Sequence, residues 1–140
     1  LAIFLAAVAV QVWDARVTLA REDYRHEPPY WSSIGEVVGR DVDVVALSQD
    51  YGNRIVYYGW LVTTNWPGTG QQDYRDLRGG TPLTFEEQFE RYTAEQDVFL
   101  VTTINEFEKQ GELYDHLNNN YPVIAEGQGY LVFDLQNPLP

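Results

Sequence analysis

The chain contains no cysteine and no methionine, and Lys109 is its only lysine. Without cysteine there is no disulfide framework, no thiolate zinc site and no cysteine nucleophile. Nine cationic residues face 21 acidic ones, for a formal net charge of −12. Binding to nucleic acid needs clustered Lys and Arg, so nucleic acid is not an expected partner. An anionic membrane surface is disfavoured for the same reason. His26 and His116 are too few and too far apart to suggest a zinc site. Gly68, Gly70, Gly79 and Gly80 are not followed by Lys-Ser/Thr and make no Gly-x-Gly-x-x-Gly, so they do not read as a phosphate loop. Ser32 and Ser33 lack the strand-turn-helix setting of a hydrolase nucleophile. Asp41-Val-Asp43 has metal–nucleotide spacing but stands at the start of a strand, the wrong end for a site. No catalytic residue, metal ligand or cofactor is assigned to these residues.

What is present is apolar surface, at 44% of residues, and aromatic residues at 14%. The opening stretch LAIFLAAVAVQVW is apolar except at Gln11. A membrane-spanning helix needs about 20 such residues. Three readings remain open: the outer end of a truncated span, a core helix, or a cut signal sequence. The helix is expected to continue through DARVTLAREDY, with Trp13 and Tyr24 near the interface level of a bilayer. Residues 1–24 are therefore set apart from residues 25–140. Pro28 and Pro29 break the first helix and open a second at its first turn, for which Gly39 is the expected stop.

From there strands and helices alternate. Strands are expected near 42–48, 59–64, 97–102, 121–126 and 129–134, the last two joined by Gly127-Gln128-Gly129 as a hairpin. TFEEQFERYTAEQ reads as a helix with Thr84 as N-cap and Glu87 completing a capping box. Residues 105–120 read as one further helix. The segment PGTGQQDYRDLRGGTP reads as a long loop. The pattern defines an α/β domain with three layers. Its mostly parallel sheet is expected in the order 2-1-3-4, with a C-terminal antiparallel hairpin at an edge.

In such sheets ligands sit beyond the carboxyl ends of strands whose crossovers leave to opposite faces. That places Gln49, Asp50, Tyr51, Asn53 and Arg54 on one side of a crevice and Thr102, Thr103, Asn105 and Glu106 on the other. The candidate ligand-binding set is Asp50, Tyr51, Asn53, Arg54, Thr103 and Asn105. The bland reading of the same letters is structural: Asp50 caps a helix, Gly52 relieves a turn and Arg54 pairs with Asp50. Tyr57, Tyr58, Trp60 and Trp66 form the densest aromatic group. Tyr58, Trp60 and Trp66 are expected to be exposed as a docking surface, because one short strand cannot bury so many rings on one face.

YWSSIGE, VVALSQDYGNRIVYYGW and the closing LYDHLNNNYPVIAEGQGYLVFDL together resemble the C-terminal soluble domain of GT-C type polytopic membrane glycosyltransferases. These are the enzymes of the dolichyl-phosphate-mannose protein mannosyltransferase and aminoarabinose transferase type. The resemblance implies a transferase that uses polyprenyl-phosphate-linked sugar and is embedded in the cell membrane, with this domain on the extracytoplasmic side. It also implies that the catalytic carboxylate lies in the membrane portion, so no residue here inherits that role. The expected partners are the membrane portion of the same protein and a glycan, a lipid-linked sugar or a protein acceptor. A free-standing α/β module binding a small polar ligand, or a structural interaction domain, are the alternatives from other classes.

Overall fold

A computed structural model describes residues 2–20, 23–79 and 83–140. Residues 21–22, in the extension expected of the first helix, and residues 80–82, which include Gly80, lie outside the described residues. The first helix, α1, runs Ala2–Leu19, and a 3₁₀ turn at Tyr24–His26 leads into α2, Glu27–Val38. Pro28 and Pro29 lie in the first turn of α2, where a missing N–H leaves no helical bond unmade. Gly39 ends the helix at φ 93°, a conformation that glycine adopts freely.

Strand β1 (Val44–Leu47) is followed by a 3₁₀ turn at Gln49–Gly52, then α3 (Asn53–Gly59) and β2 (Thr63–Asn65). Helices α4 (Thr69–Leu77) and α5 (Phe85–Thr93) lead to β3 (Val98–Val101). Helices α6 (Ile104–Lys109) and α7 (Gly111–Asn120) precede the hairpin of β4 (Val123–Gly127) and β5 (Tyr130–Asp134). The sheet order is β2-β1-β3-β5-β4. β1 pairs in parallel with both β2 and β3, and β5 pairs antiparallel with β3 and β4.

The domain is the expected mixed α/β fold with a parallel 2-1-3 core and an antiparallel hairpin. The hairpin enters the other way round, however: β5 rather than β4 lies beside β3. Burial explains the choice. Val132 and Phe133 of β5 are buried, whereas Val123, Ile124 and Glu126 of β4 are exposed. The more apolar strand takes the interior place, and the edge strand carries a register irregularity between Val123 and Ala125, a feature that blunts open edges.

Alternation along each strand divides the core in two. Val45, Leu47, Phe99, Val101 and Phe133 meet Phe89 of α5, Phe107 of α6 and Leu113 and Leu117 of α7 on one face. Val44, Ala46, Val98, Leu100 and Val132 meet Trp31 and Ile34 of α2 and Ile55 of α3 on the other. The Thr84–Glu87 capping box is present.

Three local expectations change. The segment after Pro67 is not a plain loop but contains α4. Its Tyr74 and Leu77 are exposed, so there is no buried stripe for a periodicity search to find. The helix after β3 is two helices, broken at Gln110 (φ −88°, ψ 73°) in front of Gly111. The second strand starts later than expected, because α3 runs through Gly59 and Val62 is exposed.

The described side chains of α1 from Phe4 to Arg16 are exposed all round, with Phe4, Val10, Val12 and Trp13 each more than 60% exposed. Arg16 lays its guanidinium 3.3 Å over the Trp13 ring. Among the described residues no helix is long and apolar enough to cross a membrane.

Candidate functional site

The geometry of the parallel core creates the first candidate site. After β1 the chain turns onto the α2/α3 face, and after β3 it turns onto the α5/α6/α7 face. Neighbouring strands whose crossovers part in this way leave a crevice at their carboxyl ends. A cavity of about 400 Å³ lies there, lined among others by Gln49, Thr102, Thr103, Asn105, Glu106 and Lys109.

The six candidate residues divide. Thr103 and Asn105 line the crevice, and the Thr103 hydroxyl donates to the Leu47 carbonyl at 3.2 Å. Asp50 and Arg54 pair with each other, Nε to Oδ2 at 2.9 Å, and Arg54 also donates to Glu27 Oε1 at 2.7 Å. The guanidinium thereby ties α3 to the first turn of α2. Asn53 lines a different cavity, and Tyr51 is exposed. Asp50 and Tyr51 stand out in their backbone. With Gly52 they form three consecutive left-handed residues, at φ 52°, 58° and 76°, where each non-glycine residue costs about 1–2 kcal/mol.

Beneath this turn runs a row of polar atoms that hydrophobic patterning does not reveal. Ser48 follows β1, Asn65 ends β2 and Thr102 follows β3. Their Oγ, Oδ1 and Oγ1 are buried with no hydrogen-bond partner. Asn65 pairs in register with Ala46, and the alternation of β1 and β3 carries Ser48 and Thr102 to the same face, that of α2 and α3.

On the crevice's other side Glu106 holds the start of α4. Its Oε1 accepts from the Thr69 backbone N–H at 2.6 Å and also from the Thr69 hydroxyl. Burial alone would raise its pKa. The bonds from Thr69 and Gln110, with the nearby Lys109 charge, outweigh burial and hold the carboxyl below the usual range.

The second candidate is an aromatic cleft of about 900 Å³ between α2 and α3, walled by Pro28, Pro29 and Ser32 on one side and Asn53, Tyr57 and Trp60 on the other. Tyr57 and Trp60 are 72% and 70% exposed, and Tyr58, which also lines the cleft, meets Tyr57 edge-on at 4.9 Å. Trp60 closes α3 in a left-handed conformation (φ 56°, ψ 31°). The proline wall had no signal in the sequence beyond its helix-starting role.

Trp66 is a correction to the expected aromatic surface: it is 1% exposed and sits at the centre of the core. Its backbone N–H extends the sheet by donating to the Ala46 carbonyl at 2.9 Å. Its ring then falls on the face opposite α3, among Phe85, Phe89, Tyr92 and Phe99. The indole Nε1 donates to Gln110 Oε1 at 2.8 Å, and Gln110 Nε2 donates to the Pro67 carbonyl. Nearness in sequence to Trp60 did not mean the same face. Compared with known proteins, the chain matches no family model, no curated protein and no solved structure.

Proposed function

We propose that the chain is the membrane-proximal, extracytoplasmic domain of a membrane glycosyltransferase that uses a polyprenyl-phosphate-linked sugar. Its role there is to position the acceptor or brace the catalytic loops, while the membrane portion carries the chemistry. The observation that carries this reading is α1. A helix whose apolar side chains face outward on every described side is stable in lipid or against other apolar helices, not in water. Ala2–Trp13 reaches about 18 Å at 1.5 Å per residue, roughly one leaflet. Trp13, Asp14 and Arg16 then mark a change to polar character of the kind found at a bilayer interface. The scarcity of Lys and Arg suits the outer side, since positive charge gathers on cytoplasmic segments. The resemblance of the three aromatic motifs supplies the enzyme class.

Transfer from a polyprenyl-phosphate sugar in membranes carrying the complete gene product tests it. Replacing residues 25–140 by a flexible linker is expected to lower transfer at least about tenfold, ~1.4 kcal/mol of transition-state support, with the protein still in the membrane. Unchanged transfer, or a complete gene with no hydrophobic span beyond α1, overturns the reading. The polar crevice favours a second reading, a free-standing module for a small polar ligand. That reading gains if the gene adds only a short leader.

A further inference from the structure

We propose that the crevice between β1 and β3 binds a small uncharged polyol of monosaccharide size, and that the ligand enters when the Gln49–Gly52 turn moves. The inference goes beyond the transferase reading and stands without it, because it rests on the sheet's carboxyl edge alone. A cavity of about 400 Å³ falls within the usual range of about 300–1,000 Å³ for small-molecule sites.

The lining selects the chemical class. Gln49 and Asn105 each present an amide, with donor and acceptor side by side. Thr103 donates to Leu47 and keeps lone pairs for a ligand hydroxyl. The two charges, Glu106 and Lys109, oppose each other, and Glu106 already accepts from Thr69 and Gln110. An anion would meet one ammonium in a chain of net charge −12, and a cation would meet that same ammonium. A hydroxyl, which donates and accepts at once, matches the amides without opposing either charge.

The turn is the movable wall. A Cβ on Gly52 would lie 3.1 Å from Thr63 Oγ1 and 3.3 Å from Ser48 Oγ, so the turn lies close over Ser48, one member of the polar row. Closed, it holds two non-glycine residues in left-handed backbone and leaves Ser48, Asn65 and Thr102 without partners. Lifting relieves both penalties, because the backbone returns to common conformations and the buried oxygens meet ligand hydroxyls. The Asp50–Arg54–Glu27 ion pairs are the latch that opposes it.

The test is an amide NMR titration of the whole chain in a zwitterionic, sugar-free detergent. The probes are mannose, glucose and myo-inositol, with inorganic phosphate as the anion. Polyol-induced shifts at residues 49–54 and 102–106 are expected. Gln49→Ala with Asn105→Ala should weaken binding at least about tenfold, as the loss of ligand hydrogen bonds predicts. Tyr51→Gly, which relieves one left-handed residue and keeps the Asp50–Arg54 latch, should also weaken it about tenfold, because glycine stabilises the closed turn. Both variants lie outside the buried core, so an unchanged spectrum elsewhere shows that they fold. No polyol shift at about 100 mM, a hundredfold above a 1 mM Kd, overturns the site. So do shifts centred on Tyr57 and Trp60, or shifts at the crevice with phosphate alone. Polyol binding that is indifferent to Tyr51→Gly overturns entry through the turn.

Discussion

The two faces of the sheet solve the burial problem differently. The α5/α6/α7 face is filled by rings: Trp66, Phe85, Phe89, Phe99, Phe107 and Phe133 meet at tilted or edge-on angles. The buried amide of Gln110 on this face is bonded to Trp66, Pro67 and Glu106. The α2/α3 face is packed with aliphatic side chains and held by a close helix approach, in which a Cβ on Gly35 would lie 2.0 Å from the Gly59 carbonyl oxygen. That face also carries Trp31 Nε1 and the row of Ser48, Asn65 and Thr102, all buried without partners. The left-handed Asp50, Tyr51 and Trp60 lie on the same side, as does the aromatic cleft. Strain and unpaired polar groups persist only where the surroundings hold them, and they gather at functional surfaces. One face is therefore filled with rings, and the other carries the strained backbone and the unpartnered polar atoms.

The sharpest way to break this contrast is at the ring-filled face. Trp66→Ala removes the ring around which the aromatic face is built and leaves Gln110 Oε1 without its donor. A loss of about 3–5 kcal/mol is expected, read as a fall in the urea midpoint. A loss below 1 kcal/mol would mean that the aromatic face is not where stability resides. On the other face, Gly35→Ala puts a methyl group into backbone that cannot yield, and about 1–3 kcal/mol of destabilisation is expected. Gly111→Ala, with nothing within 4 Å of the added carbon, is the control and should change little.

Both sites show how far the sequence could be read. The alternation of short β-branched strands with amphipathic helices exposed the fold, because each buried face leaves a period in the letters. Thr84 and Glu87 announced their cap by type and spacing. Helix α4 left no such trace: its N-terminus is held from outside by Glu106, 37 residues away along the chain. The inverted hairpin depends on which strand is more apolar overall, a tertiary competition that turn residues do not report. In the candidate site, Thr103 and Asn105 could be placed from the switch-point rule alone. Asp50 and Arg54 could not be sorted from it, since an ion pair with Glu27 depends on how α3 meets α2. Trp66 was misplaced because a six-residue separation from Trp60 hides a crossing from one face of the sheet to the other.

A gentler change sharpens the idea of a strained face. Trp60 ends α3 in the left-handed region, where glycine is the usual residue. It is 70% exposed, so it gives up little packing when removed. Trp60→Gly is expected to raise stability by up to about 1 kcal/mol through relief of that conformation. The same change should abolish any ligand-induced fluorescence change from the cleft. A variant that is destabilised by more than 1 kcal/mol would show that the ring is a structural element, and the cleft would lose its standing as a retained surface.

The smallest effect separates the faces by pH. His116 packs against Phe85 and Phe89, with ring centroids at 5.2 Å and 4.4 Å. Burial among these rings lowers its pKa, and the charge of Glu86 only partly restores it. The unfolded chain therefore takes up the proton at a higher pH than the folded one. By linkage, the stability that neutral His116 supports is complete above the unfolded pKa, near 6.5. It declines as pH falls through that value toward the lower folded pKa, and then levels off. Carboxylates titrate below this window, so a modest fall in the urea midpoint between about pH 7 and pH 5.5 should belong to the aromatic face. In His116→Phe the fall should disappear, while amide protection relative to the intrinsic exchange rate at the Gln49–Gly52 turn stays constant over the same range in both proteins. A fall that persists in His116→Phe would move the pH sensitivity to a group outside the aromatic cluster.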